Sequence, residues 1–234
     1  MSFKPATIEM IKVVAVALGE LNERAVFVGG ATVPFYLPEA YFAQARPTED
    51  IDVVMEIVGR KAGAINDQAL RDKGFQHDTS EGAPICRWLY RKFKVDVMST
   101  DASTVGFTNR WYEEGVESAI EIISTPVSVK IFSLPYFLGS KIVAFRDRGK
   151  NDYMGSSDME DIISLLEVAE DSLLEKVLPD VSSELRDFLK TEFQKLLNTP
   201  DFIDCIPGAV FNRAAAKEAT AAVIERMKKL SSAL

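Results

Sequence analysis

Cysteine is nearly missing from this chain of 234 residues: Cys86 and Cys205 stand far apart, and neither belongs to a Cys-x-x-Cys pair. That excludes a disulfide framework and a zinc site of paired cysteines, and a reducing cytoplasm is the expected setting. Histidine occurs once, as His77 in the polar stretch 74–82, where it reads as an exposed loop residue and not as a catalytic base. Long apolar runs are missing too. Residues 11–18 form a short run interrupted by Lys12 and preceded by Glu9, and Met1 to Pro5 lack a basic segment, so neither a membrane span nor a signal peptide is expected. Positive charge is in deficit, with 27 Lys and Arg against 35 Asp and Glu and a net charge of -8. Unspecific binding of nucleic acid over the whole surface needs the opposite balance. A local basic groove is still open, and residues 130–150 are the candidate, because Lys130, Lys141, Arg146, Arg148 and Lys150 face only Asp147.

What is present is a hydrophobic content of 47%, enough to bury a core in one large domain or two small ones. Apolar residues at helical spacing predict a helix over 8–21, and 24–28 reads as a short buried strand ending at Gly29-Gly30. A short helix over 31–37 is broken by Pro38, and 37–48 reads as an irregular connection carrying Pro38 and Pro47. The strand 50–57 follows: Ile51, Val53, Met55 and Ile57 fall on one face, with Asp50, Asp52 and Glu56 on the other. A helix over 59–74 and strands over 85–90 and 93–98 come next, the strands joined tightly at Arg91-Lys92. Phe93, Val95 and Val97 share a face, leaving Lys94 and Asp96 on the other. Two more strands, 119–123 and 127–132, precede a run of helices at 134–148, 158–169, 182–197 and 214–230. The expected organisation is an α+β fold, with a mixed β-sheet and flanking helices in residues 1–132 and a helical part in 133–234.

The chemistry concentrates in a few positions. Gly29-Gly30 after a buried strand allows a sharp turn and a close approach to a ligand, and amides at the start of a following helix favour phosphate, with Thr32 adding a hydroxyl donor. An Asp-x-Asp on a strand sends both acids to one face, roughly 6 to 7 Å apart along the chain. Asp is a poor strand former, and Asp50, Asp52 and Asp96 together repel unless a cation or protons compensate. Oxygen-rich sites for two divalent ions about 3.5 to 4 Å apart are what in-line phosphoryl or nucleotidyl transfer needs. Each piece also has a plain structural reading: a strand-to-helix turn for the glycines, a solvated strand face for the acids. Lys141 sits on a helix that is apolar on nearly every side, so it must snorkel or find an anion. Ser157 with Glu160 reads as a capping box. Trp88 and Trp111 read as core residues.

Val28-Gly29-Gly30-Ala31-Thr32, the run from Arg46 to Val54 that holds Asp50-Ile51-Asp52, and Val95-Asp96-Val97 resemble the polymerase-beta-like nucleotidyltransferase superfamily, and within it the AbiEii/AbiGii-type toxin branch. Lys141-Ile142-Val143-Ala144 with Arg148, then Asp158 and Asp161, is similar to later motifs of that branch. The resemblance spans about residues 25–165. It implies that Gly29, Gly30 and Thr32 hold a triphosphate, that Asp50, Asp52 and Asp96 are catalytic and bind two Mg2+ ions, and that Lys141, Arg148, Asp158 and Asp161 of the helical part contribute to the nucleotide site. It further implies transfer of a nucleoside monophosphate from a nucleoside triphosphate (NTP) to an acceptor hydroxyl on an RNA or transfer-RNA end or on a protein, and a toxin with a separate antitoxin. The gap between Gly30 and Asp50 departs from the pattern and suggests an inserted loop at 37–46, read as a surface excursion. A small-molecule acceptor of the antibiotic type and a non-catalytic nucleotide-binding module of the same fold are the alternatives.

Overall fold

The computed structural model describes residues 6–55, 62–100 and 109–233. The chain divides into two compact units, one of Met1–Pro34 with Arg46–Phe132 and one of Phe35–Ala45 with Ser133–Leu234. The division differs from a simple boundary at Phe132, because Phe35–Ala45 groups with the helices. Aromatic packing is the reason: Tyr36 lies 5.1 Å from the ring of Phe137, and Tyr41 lies 5.5 Å from that of Phe211. The predicted insertion is thus partly ordered, as a 3₁₀ helix over Glu39–Gln44.

The first unit is built on a mixed sheet. Its described elements are α1 (Ala6–Leu18), β1 (Ala25–Val28), β2 (Asp50–Met55), α2 (Ala62–Asp72), β3 (Gln76–His77), β4 (Arg87–Tyr90), β5 (Phe93–Ser99), α3 (Tyr112–Glu117), β6 (Ile120–Ile122) and β7 (Val129–Ile131). The strands run in the order β3-β4-β5-β2-β1-β7-β6. β2 pairs parallel with β5, and β1 pairs parallel with β7 and antiparallel with β2. β1, flanked on both edges, is the all-apolar stretch Ala25-Val26-Phe27-Val28 and is buried throughout, as expected of a central strand covered on both faces. α1 buries Ile8, Ile11, Val14, Ala15 and Leu18, a stripe at helical spacing. Glu56, Ile57 and Gly59, which the sequence assigns to the end of one strand and the start of a helix, lie outside the described residues. His77 is not in a loop: it sits in β3 with its ring 4.4 Å from that of Trp88. Trp88 and Trp111 are both buried in this unit.

The second unit holds α4 (Leu134–Arg148), α5 (Ser157–Val168), α6 (Ser183–Leu197), α7 (Pro200–Ala209) and α8 (Ala216–Ala233). α4 buries Leu134, Tyr136, Phe137, Leu138, Ile142 and Phe145 and packs on α5 and α6. The cap of α5 is Ser156, whose Oγ accepts from the Met159 amide, one residue before the predicted Ser157; the box with Glu160 is therefore not formed by that pair. α7 is not among the helices read from the sequence, although it carries Pro200 and Pro207 without disruption. Pro200 occupies the first turn, where its missing N–H is no loss, and Pro207 falls in the last turn.

Candidate functional site

The turn after β1 is held open for a carboxylate. Gly29 has φ +70, and a Cβ there would collide with Asp52 Oδ2, so only glycine gives both the left-handed backbone and the space. Thr32 closes the turn from the other side: its amide and its hydroxyl both donate to the Gly29 carbonyl, at 3.1 and 2.9 Å. The Thr32 side chain is fully buried, and its one hydroxyl proton is committed to the turn. Gly30 opens the 3₁₀ helix Gly30–Tyr36.

Asp52 and Asp96 are direct partners across the parallel pair β2–β5, and Asp50, two residues before Asp52, shares their face. Like charges directly opposed weaken a strand pair. The compensation comes from Arg87, the register partner of Asp96 on β4. Its Nε donates to Asp96 Oδ1 at 2.8 Å, and its Nη2 donates to Asp96 Oδ2 at 2.7 Å and to Asp50 Oδ2 at 3.3 Å. Asp50 is held further by the Thr48 hydroxyl, which donates to Oδ1 at 3.0 Å. The hydrogen bond with Asp96 keeps the Arg87 guanidinium firmly charged against the opposing effect of burial, and the Asp96 and Asp50 charges add to it. Cys86, next to Arg87, is no nucleophile: burial, and then the Asp96 charge, push its thiol up to about 11.

The structure thus brings Asp52, Asp96, Asp50 and Arg87 to one face of the adjacent strands β2, β5 and β4, beside the Gly29 turn that follows β1. Arg87 is the member that sequence reasoning missed. The signal was available, since a turn on Arg91-Lys92 pairs Tyr90 with Phe93 and, three residues back, Arg87 with Asp96. Three carboxylates on one face are the oxygen donor type that Mg2+ takes. The side-chain directions are another matter: Asp50 and Asp96 turn to Arg87 while Asp52 lies over Gly29. Among the described residues no three His, Cys, Asp or Glu side chains stand close enough to share a metal ion.

In the helical unit Lys141, Arg148, Asp158 and Asp161 also come together. Lys141 Nζ lies 2.9 Å from Asp158 Oδ1 and 2.7 Å from Asp161 Oδ2, with all three side chains at least 93% buried, and Arg148 reaches Asp158 Oδ2 at 3.3 Å. Burial pulls the Lys141 pKa down, but Asp161 and then Asp158 outweigh it, and the ammonium is held above its ordinary value. The anion that Lys141 needs is therefore supplied from within the unit. Two other members of the expected basic groove also have acid partners: Arg146 pairs with the buried Glu192, and Arg148, itself largely exposed, with Asp158.

No family model and no curated protein matches the sequence. Among solved structures, the chain is similar to an antigenic nucleotidyltransferase-like protein from Paracoccidioides brasiliensis, with a TM-score of 0.55 and 21% identity, over 91% of this chain and 98% of that one. The fold is nucleotidyltransferase-like. The α+β architecture expected from the sequence is the observed one, and in this nucleotidyltransferase-like fold the central strands β2 and β5, beside the Gly29 turn, carry the acids. No helix among the described residues is long and apolar enough to cross a membrane.

Proposed function

We propose that the chain is a nucleotidyltransferase that uses Asp50, Asp52 and Asp96 to hold two Mg2+ ions and transfers a nucleoside monophosphate from an NTP to an acceptor hydroxyl. The observation that carries this reading is the register pair Asp52–Asp96, with Asp50 on the same face and the Gly29 turn beside it. Three acids are costly on adjacent strands unless the site works with cations. When bound, the ions supply charge neutralisation at the attacking and leaving oxygens of an in-line displacement. The chain's own residues do the rest. The glycine turn lets backbone approach the triphosphate, Thr32 stiffens that turn, and Asp96 takes the proton of the attacking hydroxyl as its oxygen bonds to the α-phosphorus and the pyrophosphate oxygen leaves.

The resemblance to the AbiEii/AbiGii-type branch points to an RNA end or a protein hydroxyl as acceptor, and to a toxin held in check by a separate antitoxin in the cytoplasm. Lys141, Arg148, Asp158 and Asp161 are the helical residues that the same resemblance assigns to the nucleotide. One observation favours a second reading, a nucleotide-binding module without turnover: Asp96 has both oxygens occupied by Arg87. Label transfer separates the two. The protein is incubated with Mg2+, each labelled NTP, and total RNA, cell protein or small hydroxylated amines; label moving into one acceptor class supports the enzyme and names the acceptor. Tight NTP binding with no transfer to any of them leaves the binding module.

A further inference from the structure

The proposed chemistry gives Arg87 no part, yet Arg87 makes three charge-assisted hydrogen bonds on the face where the chemistry would occur. Its fork lies across both oxygens of Asp96 and one oxygen of Asp50. A divalent ion on these carboxylates needs the same lone pairs. Guanidinium and ion therefore compete for one place.

We infer that Arg87 is the resident counter-ion of the carboxylate row and is exchanged for a metal–triphosphate complex, the divalent ion taking over Asp50 and Asp96 while the guanidinium passes to phosphate oxygens of the nucleotide. This rests on the reading of the three acids as a metal centre. No covalent bond changes in the exchange, and the charges balance: the acids trade one cation for another, and the guanidinium trades a carboxylate for a phosphate, which its planar fork fits equally well. Each half alone is unfavourable. A lone ion leaves Arg87 displaced beside a new positive charge, and a lone triphosphate meets acids that are only partly compensated. The complex satisfies both, so ion and triphosphate bind cooperatively. Release of Arg87 also leaves the one Asp96 oxygen that the ion does not take for the proton that the transfer reaction liberates.

The test is Mn2+ binding to the full chain by electron paramagnetic resonance at matched free Mn2+, with and without inorganic tripolyphosphate, in the wild type, Arg87→Gln, Arg87→Lys and Asp52→Asn. In the wild type, tripolyphosphate should tighten Mn2+ binding on the order of tenfold, the lower range for linked sites. Arg87→Gln should bind Mn2+ alone on the order of tenfold more tightly than the wild type and gain nothing from tripolyphosphate. Arg87→Lys keeps the charge without the fork, so it should bind Mn2+ alone weakly and lose most of the gain. Arg87→Gln binding Mn2+ no more tightly than the wild type, while Asp52→Asn abolishes binding, overturns the exchange and leaves the metal centre standing. Absence of Mn2+ binding in the wild type and in Arg87→Gln overturns both. Should Arg87→Gln not fold, a wild-type gain retained in Arg87→Lys overturns the exchange.

Discussion

Each unit of this protein sets a base among acids, and the two clusters are built to opposite ends. In the helical unit Lys141 lies between Asp158 and Asp161, with side chains 7, 5 and 3% exposed. In the sheet unit Arg87 and Asp96 are 17 and 11% exposed, but Asp50 is 43% exposed and the Gly29 turn lies alongside. A closed cluster has no exchange partner; its charges are fixed by one another, and removing one leaves the rest buried and uncompensated. A partly exposed cluster on the sheet face can trade its counter-ion with solvent or ligand. The difference in exposure separates a cluster fixed by its own charges from one that a ligand can reach.

The comparison breaks or sharpens under substitution. Asp52→Asn should lower nucleotidyl transfer by roughly three orders of magnitude, since several kcal/mol of charge stabilisation depend on the row. Its thermal midpoint should hold or rise slightly, because the repulsion with Asp96 is removed; a midpoint that falls steeply with transfer intact would make the open cluster structural. Lys141→Met should do the reverse, costing about 3–5 kcal/mol in urea unfolding by stranding Asp158 and Asp161. If triphosphate affinity, measured where this variant is fully folded, falls as well, Lys141 touches the nucleotide and the contrast between the clusters fails. Gly29→Ala should cost about 1–3 kcal/mol from its left-handed backbone, and transfer should suffer more than stability because the Cβ displaces the Asp52 carboxylate. The smallest effect is in pH. The Lys141 pKa is raised on folding, so its contribution is fully present below the unfolded value of about 10.4 and is lost as pH rises through the folded value. The difference in thermal midpoint between wild type and Lys141→Met should therefore narrow only in strongly alkaline buffer, and a difference that already narrows near neutral pH contradicts the pairing.

Periodicity carried most of the sheet and six of the eight described α-helices, missing α3 and α7, and alternation alone put Asp50 and Asp52 on one face. What it does not carry is partner choice. Asp96 joins them because β5 lies beside β2, a long-range pairing that no local pattern states. Arg87 was one register step from legible. Lys141 was recognised as needing an anion, but its partners sit 17 and 20 residues on, at the start of the next helix, and become neighbours only when α4 and α5 pack. The cap of α5 was missed by one residue because Ser156 and Ser157 are chemically alike.

The assignment of Phe35–Ala45 to the helical unit means that the chain passes from one unit to the other after Pro34, back before Arg46 and across again after Phe132. No single cut of the polypeptide releases either unit whole. A fragment ending at Phe132 carries Tyr36 and Tyr41 without Phe137 and Phe211, and the complementary fragment presents those rings with nothing to cover them. Gene dissection at the obvious boundary should give two sticky, poorly behaved halves, and a usable sheet unit calls for excision of the 35–45 segment and a short bridge in its place.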